Sequence, residues 1–167
     1  MRCLPLRRNG AALALFLADT GCRLGEALRA KREDIGECNG LTAPIVIHSE
    51  KGGDERVSYV TRDTMKRLPH SGPLFTHSRR KYQRDFARAG TSAHAFRRWM
   101  ITTLLDSGAD IRSVQDMVGH SKVDSTALYW LATEERLHAL SRSIALLPRY
   151  RRDPASFVDW REGRLDP

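Results

Sequence analysis

The first part of the chain carries apolar residues at helical spacing. Residues 10–20 hold an apolar stripe that ends at Thr20-Gly21, which predicts a helix followed by a break. A second, shorter helix is predicted over residues 23–31, and turn-forming residues follow it up to Pro44. The run AALALFLA is much shorter than the ~20 apolar residues that a membrane span needs, so it indicates a buried helix.

The pattern then changes to that of strands. The β-branched runs IVIH and RVSYV are separated by SEKGGDE, which predicts a β-hairpin with Lys51 at its tip. A further strand over residues 34–37 would complete the sheet. We therefore expect a small three-stranded antiparallel sheet.

Most of the remaining chain is predicted to be helical, with turn-forming breaks at HSGP, AGTS, SGAD and VGHS. The predicted helices cover residues 62–68, 78–89, 93–107, 111–118, 123–130 and 134–146. Periodicity is then lost, and residues 148–167 are expected to form a flexible or partner-docking tail. The pattern and the length of 167 residues predict an α+β protein, mostly helical, with one domain over residues 1–147.

Positive charge is concentrated in one segment of the chain. The formal net charge is +8, and residues 62–98 account for all of it, with ten lysines and arginines against two acidic residues. Such a block favours a polyanionic partner, with the phosphate backbone of a nucleic acid as the first candidate. A solvated helix face would carry the same charge, so composition alone leaves both explanations open.

The three cysteines, Cys3, Cys22 and Cys38, are widely spaced and form no C-x-x-C or Cys/His pattern. This spacing gives no sign of a zinc site and favours a reduced, cytoplasmic compartment. The sequence also has no acidic cluster of the kind that holds two metal ions for phosphoryl chemistry.

Arg23 occupies a position that phosphate binding would explain, and a second arginine, Arg97, is paired with a histidine at helical spacing. Arg23 starts the second predicted helix, where a cation opposes the helix dipole, and Glu26 follows three residues later. His94 and Arg97 are also three residues apart, which predicts that both lie at one edge of the helix that buries Phe96. An intrahelical Arg–Glu pair and an ordinary surface His–Arg pair are the alternatives.

Three further residues have an ordinary explanation when each is taken alone. Lys51 at the hairpin tip could reach into a DNA groove or could serve only solubility. Gly119 either orients His120 or is a plain helix C-cap glycine. Tyr129 by itself is most simply a buried core aromatic.

The order and spacing of these residues resemble the catalytic domain of the tyrosine recombinases, the phage-integrase family. That family carries an Arg in a T-G-x-R-x-x-E box, a hairpin Lys, an H-x-x-R box, a G-H pair, and a Tyr nine residues after that His. The matching segments are TGCRLGEAL, EKGGDERVSYV and HAFRRWMITTLLDSGADIRSVQDMVGHSKVDSTALY. The six family positions are filled here by Arg23, Lys51, His94, Arg97, His120 and Tyr129.

The resemblance implies a metal-independent transfer of a DNA phosphodiester. Arg23 and Arg97 would bind the non-bridging phosphate oxygens, and Tyr129 would attack phosphorus to form a 3′-phosphotyrosyl link. His94 would accept a proton or orient the reacting groups, and His120 would hydrogen-bond the phosphate. Lys51 would protonate the departing 5′-hydroxyl. Because the tyrosyl link conserves the phosphodiester energy, we expect no ATP, no other cofactor and no metal.

The resemblance also implies double-stranded DNA as partner, no membrane, and site-specific recombination or integration in the cytoplasm of a bacterial or phage-infected cell. Family members usually have an N-terminal DNA-clamp domain, for which the 22 residues before Arg23 leave no room. The chain is then either a natural half-size relative or, as we expect, an isolated catalytic domain of a longer protein. We expect it to be monomeric without DNA, with the full-length protein a tetramer on recombining DNA.

Two other functions would use a related site. A type IB topoisomerase shares the tyrosine nucleophile, but the G-H…Y spacing and the hairpin favour a recombinase. A DNA-binding regulator could keep the fold without cleaving DNA, but it would have no need of all six residues. A role unrelated to DNA leaves the six positions unexplained.

Overall fold

The computed structural model describes residue 6 and residues 8–50 and 55–119 of this chain. Roughly half of these residues are helical, fewer than the mostly helical content that the sequence predicted, and they carry one small antiparallel sheet, in agreement with the expected α+β class. In chain order the elements are α1 (Arg8–Thr20), α2 (Leu24–Ala27), a 3-10 turn (Arg32–Asp34), β1 (Thr42–Ile47), β2 (Arg56–Thr61), α3 (Arg62–Met65), α4 (Arg79–Arg88), α5 (Ala93–Asp106) and α6 (Ile111–Val118). The helices predicted over 123–130 and 134–146, and the tail, lie outside the described residues.

The predicted third strand is wrong, because the sheet of the described residues has two strands. Residues 34–37 form only an isolated bridge, in which Ile35 pairs with Ile45 and the Gly36 N–H donates to the Pro44 carbonyl at 2.9 Å. Pro44 has no N–H, so it cannot return a hydrogen bond to Gly36. The ladder at this edge of β1 therefore stops after a single bridge.

The hairpin is paired in register from Thr42–Thr61 to Ile47–Arg56. Alternation places Ala43, Ile45, Ile47, Ser58 and Val60 on one face, and all five are buried. Arg56 lies opposite Ile47 and therefore occupies the same inward face as these buried residues. A charged residue on the core side of a strand needs a buried partner.

Helix α1 forms the centre of the core, and residues 12–18 are all buried. A helix that is apolar on every side is expected to be surrounded by other elements. It packs against α5, whose Met100 and Leu104 are fully buried, and against β2, where Ser58 Oγ donates to the Thr20 carbonyl at 3.0 Å. The C-terminal end of α1 is thereby fixed between α5 and the hairpin.

Helices α5 and α6 begin and end close to the predicted residues. Ser92 and Asp110 accept hydrogen bonds from Ala95 N and Ser113 N, so each helix has an N-cap side chain. Gly119 ends α6 in the left-handed conformation, with φ +66°. None of the helices in the described part of the chain is long and apolar enough to cross a bilayer.

Candidate active site

The turn after α1 is built around Gly21, which has φ +61°. A Cβ atom at this position would lie 2.8 Å from Val118 Cγ1 and 2.9 Å from Met100 Sδ. Glycine is therefore needed both for the backbone conformation and for the close approach to α5 and α6. The turn thereby brings its own backbone to α5, where Arg97 donates to the Gly21 carbonyl, and Arg23 to the end of α6, where it donates to the Gly119 carbonyl.

Arg23 is the N-cap residue of α2 and is bound to Glu26 in two ways. Its N–H donates to Glu26 Oε2 at 2.8 Å, and its Nη1 donates to Glu26 Oε1 at 3.2 Å. The intrahelical Arg–Glu pair is thus present. The Arg23 side chain is still 45% exposed, so part of its guanidinium remains available to an anion from solvent.

Glu26 has a second partner on the hairpin, Arg56, which the sequence did not single out. Arg56 Nη2 donates to Glu26 Oε2 at 2.6 Å, and Arg56 Nη1 donates to Glu26 Oε1 at 3.3 Å. The Glu26 side chain is 1% exposed, and burial opposes its ionisation. Hydrogen bonds from Arg56 and Arg23 nevertheless hold the pKa of Glu26 below its ordinary value, so the carboxylate is charged at neutral pH.

Arg97 lies inside the protein, although the helical pattern placed it with His94 at one edge of α5. Arg97 is buried and donates from Nη1 to the main-chain carbonyl of Gly21, whereas His94 is exposed. Burial, together with the charges of Arg23 and Arg56, lowers the pKa of Arg97 to about 10. The guanidinium therefore still carries its charge at neutral pH.

The other end of the Arg97 guanidinium is unsatisfied within the described part of the chain. Nη2 is buried and has no hydrogen-bond partner among those residues. A buried, charged N–H donor that has no acceptor lowers the stability of the folded protein. An anion that also reached the exposed guanidinium of Arg23 would satisfy it.

Two carbonyl groups at the end of α6 complete this region. Arg56 Nε donates to the Met117 carbonyl at 3.2 Å, and Arg23 Nη2 donates to the Gly119 carbonyl at 3.3 Å. The C-terminal end of a helix carries partial negative charge, so it favours cations there. A Cβ on Gly119 would lie 2.9 Å from Arg56 Cζ, which makes this glycine a close-approach residue as well as the C-cap.

The site carries an excess of positive charge over the buried carboxylate. Within the described residues, three arginines, Arg23, Arg56 and Arg97, share the counterion Glu26. The thiol of Cys22 lies beside them, but burial raises its pKa to about 12, so it is neither an anion nor a nucleophile at neutral pH. The arrangement can bind a multiply charged oxyanion such as a phosphate.

The base of the hairpin is held by charged contacts on both sides of Lys51, which itself lies outside the described residues. His48 Nδ1 contacts Glu55 Oε1 at 2.8 Å, and His48 Nε2 contacts Asp34 Oδ1 at 3.2 Å. Arg29 donates to the Ser49 and Glu50 carbonyls at 3.1 and 3.3 Å. The position from which the loop with Lys51 begins is therefore fixed.

Three comparisons with known proteins bear on this site. The sequence model of the phage integrase family matches residues 73–136, which include His94, Arg97, His120 and Tyr129. The tyrosine recombinase XerD of Mycobacterium tuberculosis is 32% identical over 165 residues, covering 81% of this chain and 51% of XerD. The chain carries a tyrosine recombinase catalytic domain. It spans about half the length of the curated relatives it matches.

Solved tyrosine recombinases share the fold. The integrase from mycobacterium phage Brujita has a TM-score of 0.67 at 22% identity, covering 84% of this chain and 53% of that chain. The XerH recombinase bound to its difH substrate in a pre-cleavage complex has a TM-score of 0.57 at 22% identity. The match covers 80% of this chain and 46% of the XerH chain. At these identities the likeness concerns the fold alone.

The tyrosine recombinase domain brings together two of the six residues predicted from the sequence, Arg23 and Arg97. His94 lies in the first turn of α5, on the same helix as Arg97. Lys51, His120 and Tyr129 lie outside the described residues. Arg56 was not among the residues predicted from the sequence. The alternation of side chains along a strand could have indicated it, because it puts Arg56 on the same face as Ser58 and Val60.

Proposed function

We propose that this chain cuts and rejoins double-stranded DNA at specific sites through a 3′-phosphotyrosyl intermediate on Tyr129. The observation that carries the proposal is the buried Nη2 of Arg97, which has no acceptor among the described residues, in a cluster with the half-exposed Arg23. A scissile phosphate bound between these two arginines would accept from both. Their charge would also stabilise the additional negative charge that develops at phosphorus.

The nucleophile is assigned to Tyr129 by its spacing and by the state of the other tyrosines. Tyr59 and Tyr82 are 3% and 1% exposed, so neither can reach a DNA phosphate from its place in the core. Burial also raises the pKa of Tyr82, which makes its phenolate less available. Tyr129 and Tyr150 are the remaining tyrosines of the chain, and only Tyr129 has the family spacing from His120.

The remaining predicted residues complete a balanced reaction. The Tyr129 oxygen forms a bond to phosphorus while the bond from phosphorus to the 5′-oxygen breaks. His94 accepts the phenolic proton, and Lys51 donates a proton to the 5′-oxygen. His120 hydrogen-bonds the phosphate. Reversal of the same steps rejoins a strand without an energy source.

A stripe of arginines on α4 gives the DNA backbone a second contact surface. Arg80, Arg84 and Arg88 are spaced by four residues and all three are exposed, whereas Tyr82 and Phe86 on the opposite side are buried. Residues four apart lie on one face of a helix. This α4 stripe can neutralise successive phosphates and so hold a duplex against the domain.

The proposal is tested with a pool of duplexes that each carry a nick beside a randomised stretch of sequence. Cleavage close to the nick releases a short fragment, so the covalent protein–DNA adduct accumulates. Denaturing electrophoresis in EDTA is expected to show this adduct with the wild-type chain and with Tyr150→Phe, but not with Tyr129→Phe. Sequencing of the linked DNA gives the preferred site.

Two results would contradict this assignment. An adduct that persists in Tyr129→Phe and is lost in Tyr150→Phe would move the nucleophile to the other tyrosine. No adduct with any form of the chain would remove strand cleavage as its activity. We propose further that the chain alone is a monomer and that the full-length protein assembles as a tetramer on recombining DNA, which sedimentation with and without the selected DNA checks.

A further inference from the structure

Arg56 connects three parts of the proposed active site that are distant in the sequence. It begins β2, immediately after the hairpin loop that contains Lys51. Its Nη1 and Nη2 bind the Glu26 carboxylate, which in turn binds both the N–H and the guanidinium of Arg23. Its Nε binds the carbonyl of Met117 near the end of α6, three residues before His120.

Arg56 is not itself placed to bind DNA. Its side chain is 12% exposed, compared with 45% for Arg23. Each of its three guanidinium nitrogens already donates to a protein oxygen. The Glu26 carboxylate and the Met117 carbonyl thus occupy both edges of the Arg56 guanidinium, whereas Nη2 of Arg97 has no acceptor among the described residues.

Stability alone does not explain why an arginine occupies this position. A buried ion pair gains about as much from attraction as it loses from desolvation, so apolar side chains at both Arg56 and Glu26 would serve the core as well. What an apolar side chain cannot do is fix the direction of the carboxylate and of the α6 carbonyl at the same time. The planar fork of arginine, with donors on two edges, does both.

We propose that Arg56 is a positioning residue for strand cleavage. It orients the Glu26 carboxylate, and through it the Arg23 guanidinium, and it fixes the end of α6 that leads to His120. This inference rests on the proposed function. It assigns to Arg56 an effect on the rate at which bound DNA is cleaved and little effect on DNA binding.

The experiment compares Arg56→Met, Arg56→Lys and wild type in the full 167-residue chain, on a nicked duplex carrying the site selected from the pool. Two quantities are measured for each protein, the dissociation constant for the intact duplex and the single-turnover rate of adduct formation at saturating protein. A misplacement of about 1 Å at a reacting centre can lower a rate roughly 100-fold. We expect Arg56→Met to lower the adduct rate by roughly 10- to 100-fold, with the dissociation constant within about threefold of wild type.

Arg56→Lys tests the geometry separately from the charge. Lysine keeps a cation beside Glu26 but has no planar fork, so it cannot reach the carboxylate and the Met117 carbonyl together. We expect it to recover only part of the lost rate. It also serves as the test protein if Arg56→Met is not recovered folded, and a full wild-type rate in Arg56→Lys would then overturn the inference.

A matched control separates positioning from loss of stability. Thr61 lies at the far end of the same strand and donates from Oγ1 to Asp19 Oδ2 at 2.7 Å, so Thr61→Val weakens β2 without touching the Glu26–Arg56 pair. At a temperature where all proteins are folded, Thr61→Val is expected to cleave at the wild-type rate.

The outcomes distinguish the two proposals. If wild type forms the adduct and Arg56→Met forms it equally fast, or no more slowly than Thr61→Val, the positioning role is wrong and the proposed function stands. If Arg56→Met loses DNA binding as much as rate, Arg56 is a binding residue and the inference is also wrong. If wild type forms no adduct, the proposed function fails, and the inference fails with it.

Discussion

Arg23 donates a hydrogen bond from Nη2 to the main-chain carbonyl of Gly119 across 3.3 Å, although 96 residues separate the two in the sequence. This contact joins the beginning of α2 to the end of α6. The backbone that leads into His120 is therefore tied to one of the two arginines proposed to bind the phosphate. Any change that moves Gly119 is expected to affect stability and cleavage together.

The first prediction concerns Gly119→Ala. Gly119 has φ +66°, and a Cβ there would lie 2.9 Å from Arg56 Cζ and Nε. The left-handed backbone alone costs about 1–2 kcal/mol for an L-residue. We expect urea denaturation to show a loss larger than this backbone cost, because Arg56 must also move. We also expect slower adduct formation.

Gly108→Ala is the matched control, since Gly108 also follows a helix and has φ +85°, but no atom of the described part of the chain lies within 4 Å of its Cβ position. This variant should show only the backbone cost and should cleave DNA normally. Equal losses of stability in the two variants would mean that the contact with Arg56 does not constrain Gly119.

The second prediction concerns Arg97→Met, which removes the buried guanidinium and keeps most of its apolar volume. Loss of a preorganised donor to a transition-state oxyanion typically lowers a rate roughly 10²- to 10³-fold. We expect a loss of this size in single-turnover adduct formation, with DNA binding much less affected. Arg98→Met removes the same charge from the exposed side of the same helix turn. It should weaken binding and leave the cleavage rate of bound DNA intact, and the reverse pattern would contradict the assignment.

Helix positions were predictable from the sequence because their signals are local. Residues 111–118 match α6 at both ends, since Asp110 caps the first turn and Gly119 ends the last. The third strand was wrong for a reason that is also local. Pro44 removes the N–H that would return a hydrogen bond to Gly36, and this weighs more than the apolar pattern around Ile35.

The buried part of the site could not be predicted from local pattern. Helical periodicity gives the direction in which Arg97 leaves α5, but not that its long side chain reaches the carbonyl of Gly21, 76 residues earlier. The buried position of Arg56 was equally hard to predict, because a single arginine at the start of a strand is usually a surface residue. Its role depends on Glu26, 30 residues away in the sequence, and only the fold brings them together.

The third prediction concerns the α4 stripe of Arg80, Arg84 and Arg88. Each phosphate neutralised by a protein cation steepens the dependence of log K on log salt concentration by about 0.9. Arg84→Gln is therefore expected to reduce the measured slope by about one unit, with little dependence on DNA sequence. Arg84→Lys keeps the charge and should keep the slope. If the glutamine and lysine variants have the same slope as wild type, α4 does not contact the DNA backbone.

The fourth prediction concerns pH and the histidine at the base of the hairpin. Hydrogen bonds to Asp34 and Glu55 raise the pKa of His48 above its ordinary value of 6.5. A group whose pKa is raised by folding binds its proton more tightly in the native state. Its contribution to stability is therefore complete below about pH 6.5 and is lost as the pH rises through the higher native pKa. Urea midpoints measured from pH 5.5 to 9 should fall over this interval in wild type.

His48→Gln is expected to flatten this dependence, because glutamine can hydrogen-bond one of the carboxylates but does not titrate. His70→Gln is the control, since His70 is exposed and lies outside this cluster, and it should retain the wild-type profile. Because residues 48 and 55 flank the segment that contains Lys51, the rate of adduct formation should fall over the same pH interval in wild type more than in His48→Gln. A profile that is identical in wild type and His48→Gln would show that the ion pairs of His48 do not hold the hairpin.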